Sequence, residues 1–337
     1  MKKTFLTILG LAGAAMTINA ADVVPFVPVH RPLIEEFTGL WCQWCPRGYV
    51  AMEEVNAHYG DMAVVLCYHN DDAMTITDTY PIEVTGWPKA SVDRVYIGDP
   101  YNGYMGTDKD LVPGIFNVIN GRIEIEPEAT IDVNFVETGD FGVKFDIETV
   151  FYSAPSTSKY ELGYVLTANG LTNPAWGQSN GYSGEMGYEG TPMEMFTKLP
   201  NQVFDLVYND VVVHCDAMNG VPDLLPSVDV GAFNVSTVTI PKSEIKLTDN
   251  LNSLVVNAFI IDKTTGRIVT ANKAATYKGD QPENPDAGIE DINSQLVIET
   301  EYFDISGRKI ETPAHGIFIV KNRMGDGSIK TEKRVIR

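Results

Sequence analysis

The chain has 337 residues and a formal net charge of −20, from 45 acidic and 25 basic side chains. Hydrophobic residues make up 44% of the chain and charged residues 21%, a balance that excludes a disordered or collagen-like protein. The negative charge argues against a nucleic-acid partner, because the phosphate groups would be repelled. The length suggests two or three domains.

Residues 1–20 are typical of a signal peptide. Lys2 and Lys3 form a short basic region, residues 5–16 are apolar or small, and Ala20 supplies the small residue next to the cleavage site. A transmembrane anchor is the alternative, but the apolar run is too short to span a bilayer. We therefore expect an exported protein of the outer membrane, the cell surface or the periplasm, where disulfides can persist.

Residues 30–124 are predicted to form an α/β domain. Its apolar patterns indicate strands at 33–37, 62–68 and 90–96 and helices at 45–59 and 108–120.

From 128 to 277 the hydrophobic pattern changes to a period of two residues, which indicates an antiparallel, Ig-like β-sandwich domain. The predicted strands are 130–135, 142–150, 160–167, 211–215 and 254–261. Residues 172–200, rich in Asn, Gly, Ser and Tyr, are predicted to be a long surface loop. Residues 278–290 have linker composition, and residues 291–337 are predicted to form a small C-terminal β-module.

The strongest chemical signal is a pair of cysteines, Cys42 and Cys45, between a predicted strand and a predicted helix. Unpaired backbone N–H groups and the dipole at a helix N-terminus stabilise a thiolate. Cys42 would attack a substrate and Cys45 would then close the Cys42–Cys45 disulfide. Arg47 either adds positive potential or is simply solvated. The alternatives for the pair are a structural disulfide and half of a zinc site.

Two further features support a redox role. Glu36 lies on the strand that enters the turn, and a buried carboxylate there would relay a proton to or from Cys45. The alternative is an exposed strand carboxylate. Pro88 follows Trp87 before a predicted strand, and a cis bond there would present a backbone edge to an extended substrate. The alternative is an ordinary trans turn proline.

These features resemble the thioredoxin-like superfamily over about the first third of the chain. The resemblance implies Cys42 as nucleophile, Cys45 as resolving thiol and Glu36 as buried acid. It also implies Pro88 as the cis-proline, although Trp87 before it departs from the superfamily's small or β-branched residue. We predict that Trp41, Trp87 and Pro88 contact the substrate. Pro46 follows the second cysteine instead of lying between the two, so the redox potential and the substrate do not transfer.

The arrangement is closer to a narrower group, the Bacteroidetes-type outer-membrane proteins related to Omp28. The residues that carry this resemblance are 34–39, the WCxWCPRG stretch from Trp41, the tripeptide 86–88 and the segment 254–266. The resemblance covers residues 30–277. It implies a thioredoxin-like domain followed by a β-sandwich, placed in the cell envelope.

The C-terminus resembles the sorting domains of type IX secretion. The residues that carry this resemblance are 302–308, 316–320 and 333–337. It implies that the module is an export address to the outer surface. The alternative is a small terminal β-module without a role in export.

Other polar residues offer weaker interpretations. Cys67 and His69 could join the cysteine pair in a metal site, but Cys67 lies in an apolar run, so we expect neither a metal nor a cofactor. Cys215 is predicted to lie in the core, and a Cys67–Cys215 bridge is left open. Residues 172–188 either bind carbohydrate or protein or pack on the sandwich.

The sequence therefore supports two hypotheses. In the first, the protein is an exported thiol–disulfide oxidoreductase whose partners are protein thiols or disulfides of the cell envelope. In the second, it is a non-enzymatic surface protein whose Cys42–Cys45 disulfide is structural and whose β-sandwich binds a glycan or another protein.

Overall fold

A computed structural model describes residues 28–154, 159–276, 297–304, 309–310, 316–324 and 329–336. The fold is mostly β-sheet, with few helices and several separate sheets. The chain forms two compact units, Met1–Tyr277 and Lys278–Arg337. Within the described ranges, every helix is too short or too polar to traverse a bilayer. The predicted signal peptide and the predicted linker lie outside the described residues.

The N-terminal part of the first unit contains strands and helices, as the sequence predicts. The predicted strand 90–96 is instead two strands separated by a turn at 93–95, and the predicted helix 108–120 begins only at Ile115. Its elements are β1 (Leu33–Thr38), α1 (Pro46–Tyr59), β2 (Val64–His69), β3 (Lys89–Val92), β4 (Tyr96–Gly98) and α2 (Ile115–Ile123). Strand β1 pairs in parallel with β2 and antiparallel with β3. Both β1 and β2 are buried along their whole length. Burial on both faces explains the nearly continuous apolar run of β2, whereas β1 carries two buried glutamates, Glu35 and Glu36.

Helix α1 begins at Pro46. A backbone N–H at this first position would have no partner within the helix, so proline, which has none, fits there. Its buried face includes Val50, Met52 and Val55, the residues whose spacing predicts the helix. The helix ends at Gly60, which has a φ of 53°, a conformation that glycine adopts without steric cost.

The rest of the first unit is rich in strands. They are β5 (Ala129–Gly139), β6 (Gly142–Phe151), β7 (Tyr160–Ala168), β10 (Val211–Val221), β11 (Phe233–Pro241), β12 (Leu254–Asp262) and β13 (Ile268–Ala275). Short 3-10 helices lie at Gly60–Met62, Lys242–Glu244 and Leu251–Ser253.

One eight-stranded sheet combines strands from both predicted domains, in the order β13-β12-β7-β10-β2-β1-β3-β4. The junction is the parallel pairing of β10 with β2, where Val211 lies opposite Cys67. The Cys67 N–H also donates to the Asp210 carbonyl oxygen at 2.8 Å. The α/β part and the predicted sandwich region therefore share one sheet and one compact unit. Local sequence patterns do not reveal this junction, because it joins strands about 140 residues apart.

A second, three-stranded antiparallel sheet has the order β11-β6-β5, and β5 packs against β12 and β13 of the large sheet. Buried and exposed residues alternate strictly along β11. Such alternation is expected for a strand with one buried and one solvated face. The period-two pattern of this region thus corresponds to two packed antiparallel layers.

The segment predicted as a long surface loop has a structure of its own. It contains β8 (Gln178–Ser179), α3 (Glu194–Thr197) and β9 (Gln202–Val203), with β8 and β9 paired antiparallel. Tyr182, Met193 and Phe196 are at most 1% exposed. These apolar anchors fold the segment onto the unit despite its polar composition. We call residues 172–204 the insertion.

The second unit is a four-stranded antiparallel sheet in the order β15-β14-β16-β17. Its strands are β14 (Val297–Asp304), β15 (Lys309–Ile310), β16 (Gly316–Met324) and β17 (Ile329–Ile336). The sequence predicts a small β-module in this region. Its role in sorting stays a prediction, and residues 305–308 of the proposed motif lie outside the described residues.

Candidate functional site

The two cysteines lie in the turn between β1 and α1, which we call the redox turn (residues 39–45). The Cys42 N–H donates to the Gly39 carbonyl oxygen and the Cys45 N–H donates to the Cys42 carbonyl oxygen, both at 3.1 Å. Cys45 is the N-cap residue of α1. Cys42 is 5% exposed and Cys45 1% exposed. Both cysteines, like Cys67 and Cys215, are free thiols.

The surroundings of Cys42 favour its ionised form. A hydrogen bond from the Cys45 thiol is the main cause that lowers the pKa of Cys42 to about 7. Backbone N–H groups of Trp44 and Cys45 and the charge of Arg47 lower the pKa further, against the opposing effect of burial. Cys42 therefore has substantial thiolate character near neutral pH.

Cys45 has the opposite electrostatic character. Burial raises its pKa far above the ordinary thiol value, and the hydrogen bond and charge of Cys42 raise it further. A hydrogen bond with the Thr38 side chain opposes this shift. Only Cys42 is therefore available as a nucleophile at neutral pH, and Cys45 needs a base before it can react.

Glu36 lies on β1, 2% exposed, beneath helix α1. A Cβ atom on Gly48 of this helix would collide with the Glu36 Oε1 atom and would lie 2.8 Å from the Pro88 Cβ atom. Burial raises the pKa of Glu36 to about 8, a hydrogen bond with Cys67 lowers it, and the charge of Cys42 raises it. Within the described structure, Glu36 Oε1 has no hydrogen-bond partner. The sequence alternative of an exposed carboxylate does not match this position.

Cys67 lies opposite Glu36 in the β1–β2 register, and the Cys67 thiol forms a hydrogen bond with the Glu36 side chain. Burial raises the pKa of Cys67 well above its usual value. His69 does not join this pair. Its Nδ1 atom forms a hydrogen bond with Asp72 Oδ2 at 2.7 Å. Among the described residues, the two redox cysteines, Cys67 and His69 do not form a group with metal-ligand spacing.

The Trp87–Pro88 peptide bond is cis, the geometry that the resemblance implies. The rings of Trp41 and Trp87 meet edge to face with centroids 5.7 Å apart. Trp41 is 48% exposed. Together with Cys42 these two tryptophans line an open cleft of about 640 Å³. Cys42 is thus reached from solvent through this cleft, although little of its surface is exposed.

The insertion forms the opposite wall of the cleft. The Ser179 N–H donates to the Leu40 carbonyl oxygen at 2.7 Å, and the Gly181 N–H donates to the Gln43 carbonyl oxygen at 2.9 Å. These bonds attach the insertion to both sides of Cys42. The polar residues of this wall are Ser179, Asn180, Ser183 and Asn201.

Side chains strengthen the attachment between the insertion and the redox turn. Gln178 is 3% exposed, and its Nε2 donates to the Cys42 carbonyl oxygen at 3.0 Å. Arg47 Nε donates to Asp99 Oδ2 at 2.7 Å and its Nη1 donates to the Tyr182 hydroxyl at 3.2 Å. Arg47 is therefore paired with Asp99 and Tyr182 beside the turn and is not simply solvated. This position favours the interpretation that Arg47 adds positive potential near Cys42.

Sequence reasoning missed Gln178 and the wall formed by the insertion. Its composition indicates a loop, whereas its buried residues carry the attachment. The available signal was the number of aromatic residues among the glycines and asparagines, including Trp176, Tyr182 and Tyr188. Aromatic side chains supply much of the buried area that holds a segment in place.

Comparison with known proteins gives a match of fold only. No protein-family model and no curated protein matches the chain. The structure is similar to HBP35 of Porphyromonas gingivalis, a Bacteroidetes protein, with a TM-score of 0.50, 14% identity and coverage of 92% of this chain and 99% of that chain. A structural-genomics protein of Agrobacterium tumefaciens matches with a TM-score of 0.42 and 12% identity, over 76% of this chain and 99% of that chain. The chain thus shares its overall fold with a Bacteroidetes protein.

Proposed function

We propose that this protein is an exported thiol–disulfide oxidoreductase of the cell envelope. The observation that carries the proposal is the difference between the two thiols of the redox turn. The pKa of Cys42 is lowered to about 7, whereas burial raises the pKa of Cys45. A redox pair needs this difference, because one sulfur must attack the substrate while the other stays protonated until a mixed disulfide has formed.

The reduced protein reduces a partner's disulfide in two steps. The Cys42 thiolate attacks one sulfur of the partner, forming a mixed disulfide and releasing the other partner sulfur as a thiolate. Cys45 then loses its proton and attacks the Cys42 sulfur. The Cys42–Cys45 disulfide forms, the second partner sulfur leaves, and two electrons have passed to the partner. The same steps in reverse oxidise a partner dithiol.

Glu36 is the proposed acceptor of the Cys45 proton. Its charge acts on Cys45, and its pKa of about 8, raised by burial, lies near the working pH, as efficient proton transfer requires. Glu36 and Thr38 line a cavity of about 20 Å³, enough for one water molecule. Because Thr38 also hydrogen-bonds Cys45, the route between Glu36 and Cys45 is short.

The proposed partners are polypeptides that carry a thiol or a disulfide. The cleft offers the aromatic surfaces of Trp41 and Trp87 on one side and polar groups such as Ser183 and Asn201 on the other. Such a combination suits an extended peptide, which presents both apolar side chains and backbone polar groups.

The envelope location rests on the signal sequence at residues 1–20 and on the motifs shared with Omp28-related proteins. Export through a type IX sorting role of residues 291–337 belongs to the same proposal.

Reduction of insulin disulfides tests the activity. We expect wild-type protein to reduce insulin and Cys42→Ser to lose this activity. Cys215→Ser is the matched control, because it also removes one buried cysteine but leaves the redox turn intact. Equal rates for wild type and Cys42→Ser would refute the proposal.

A second function is favoured by the low exposure of Cys42, which suits a structural disulfide in a binding protein. The two functions differ in what Cys45→Ser does. An oxidoreductase with this change accumulates mixed disulfides with envelope proteins, since the resolving thiol is gone. A structural disulfide traps no partner and resists reduction by glutathione.

A further inference from the structure

A second cluster of polar side chains lies on β10 and on the 3-10 helix Lys242–Glu244. His214, Asp216 and Glu244 each offer one metal-ligating atom, and the three atoms lie within 4.8 Å of one another. His214 and Asp216 are two positions apart on β10, a spacing at which side chains share one face of a strand. Glu244 joins them from the segment that follows β11. None of the three residues belongs to the redox site.

His214 distinguishes this cluster from an ordinary group of surface acids. It is 4% exposed, and its ring stacks on Tyr164 with centroids 6.4 Å apart. Across the described part of the chain, no residue forms a hydrogen bond or an ion pair with the imidazole. The ring nitrogens are not among the fully enclosed atoms without a partner, and His214 lines an open groove, so a ligand can reach the imidazole. Here its nitrogen faces two carboxylates at a separation that leaves room for an ion.

The charges around the cluster are also unbalanced. Asp216 and Glu244 are both exposed, and neither forms an ion pair with a Lys or Arg among the described residues. Lys246 is near, but its Nζ donates to the Ser243 carbonyl oxygen at 3.1 Å. Burial raises the pKa of Tyr164, and the charges of Asp216 and Glu244 raise it further. A bound cation would offset the repulsion between the two carboxylates.

We propose that His214, Asp216 and Glu244 form a binding site for a divalent transition-metal cation, with Zn²⁺ as the representative ion. One imidazole nitrogen and two carboxylate oxygens are a ligand set that zinc accepts. Magnesium and calcium prefer oxygen ligands alone, so the histidine favours zinc over them. The cluster opens to a groove of about 380 Å³, which leaves the remaining coordination positions to solvent or to a ligand.

Zinc binding to full-length protein that carries Cys42→Ser and Cys45→Ser tests the site. This background removes the redox thiols, which would otherwise bind zinc themselves. Equilibrium dialysis against Zn²⁺ followed by metal analysis should give one bound ion per chain. Asp216→Asn and Glu244→Gln should each weaken binding by more than about tenfold, since even groups outside the ligand set contribute roughly 10–100-fold.

Asp249→Asn is the matched control, because Asp249 is an exposed carboxylate near Glu244 in sequence but outside the cluster. Zinc binding by Asp249→Asn should equal that of the parent protein. Absence of saturable binding, or equal weakening by Asp249→Asn and Asp216→Asn, would overturn the proposal and indicate diffuse attraction to an acidic surface. His214→Ala should also lose zinc while keeping its circular-dichroism spectrum. If His214→Ala unfolds, the zinc binding of Asp216→Asn and Glu244→Gln decides the question.

Insulin reduction by Asp216→Asn in a chain with both redox cysteines should equal that of wild type, so the zinc test is independent of the proposed function.

Discussion

The two faces of strand β1 each carry a buried glutamate, and the two glutamates lie in opposite electrostatic environments. On one face, Glu35 is fully buried and receives two hydrogen bonds from Arg94, at 2.9 Å from Nε and 2.8 Å from Nη2. The Arg94 guanidinium also lies over the Phe259 ring, 5.5 Å from its centroid. On the other face, Glu36 has the Cys67 thiol as its one hydrogen-bonding neighbour in the described structure and no Lys or Arg partner there. The paired face is structural, whereas the unpaired face holds a carboxyl group that can exchange a proton near neutral pH.

This difference shows how one strand can serve both stability and chemistry. A buried carboxylate with a bidentate arginine holds its neighbours in place. A buried carboxylate without a cation moves its pKa into the range useful for catalysis. Adjacent positions on a strand point to opposite faces, so the two environments can lie side by side without mixing.

The largest expected effect comes from breaking the pair on the structural face. Glu35→Gln leaves the Arg94 charge buried without a carboxylate and should lower the free energy of unfolding by about 3–5 kcal/mol. Glu128→Gln is the control, because both Glu128 carboxylate oxygens accept hydrogen bonds from Arg267 Nη2 in a pair that is 25% exposed on both sides. That change should cost about 1 kcal/mol or less. Equal losses in denaturant unfolding would contradict the role given to burial.

The unpaired face predicts a pH dependence of stability. The pKa of Glu36 in the folded protein is about 8, above its ordinary value of 4.5. Between these values the folded state binds more protons than the unfolded state, so stability falls as pH rises through this window. From pH 4.5 to 7, wild type should lose about 3 kcal/mol more than Glu36→Gln, at about 1.4 kcal/mol per pH unit. Parallel stability curves for the two proteins would show that folding does not raise the pKa of Glu36.

The contact between α1 and the unpaired face predicts a smaller effect. Gly48→Ala should lower the free energy of unfolding by about 1–3 kcal/mol, because the added methyl group meets Glu36 Oε1 and Pro88. Gly121→Ala in α2 is the control, since a Cβ there meets no atom within 4 Å. It should gain up to about 1 kcal/mol from helix propensity. A gain of equal size at both positions would mean that α1 does not press on the carboxyl group.

The position of the redox turn between a strand and a helix was predictable from the sequence because its signals are local. The spacing of Cys42 and Cys45 and the strand before them lie within a short stretch. Glu36 and Pro88 could be added through a resemblance that depends on the same stretch and on one tripeptide. A hydrophobic period also suffices to place α1 and most strands.

Other features depend on contacts between distant segments, which no local pattern encodes. The pairing of β10 with β2 merges two predicted regions into one sheet. Gln178 reaches the Cys42 carbonyl from a segment that its composition identifies only as a loop. Arg94 pairs with Glu35 across 59 positions of sequence, so nothing near Glu35 distinguishes it from Glu36.

The pH dependence of Cys42 alkylation tests the central claim most directly. Reduced protein would be treated briefly with iodoacetamide across a pH series, and the modified cysteine would be identified by mass spectrometry. We predict that Cys42 alone is modified, with a midpoint near pH 7, while Cys45 stays unmodified. A midpoint at the ordinary thiol value of about 8.5, or equal modification of both cysteines, would contradict the account.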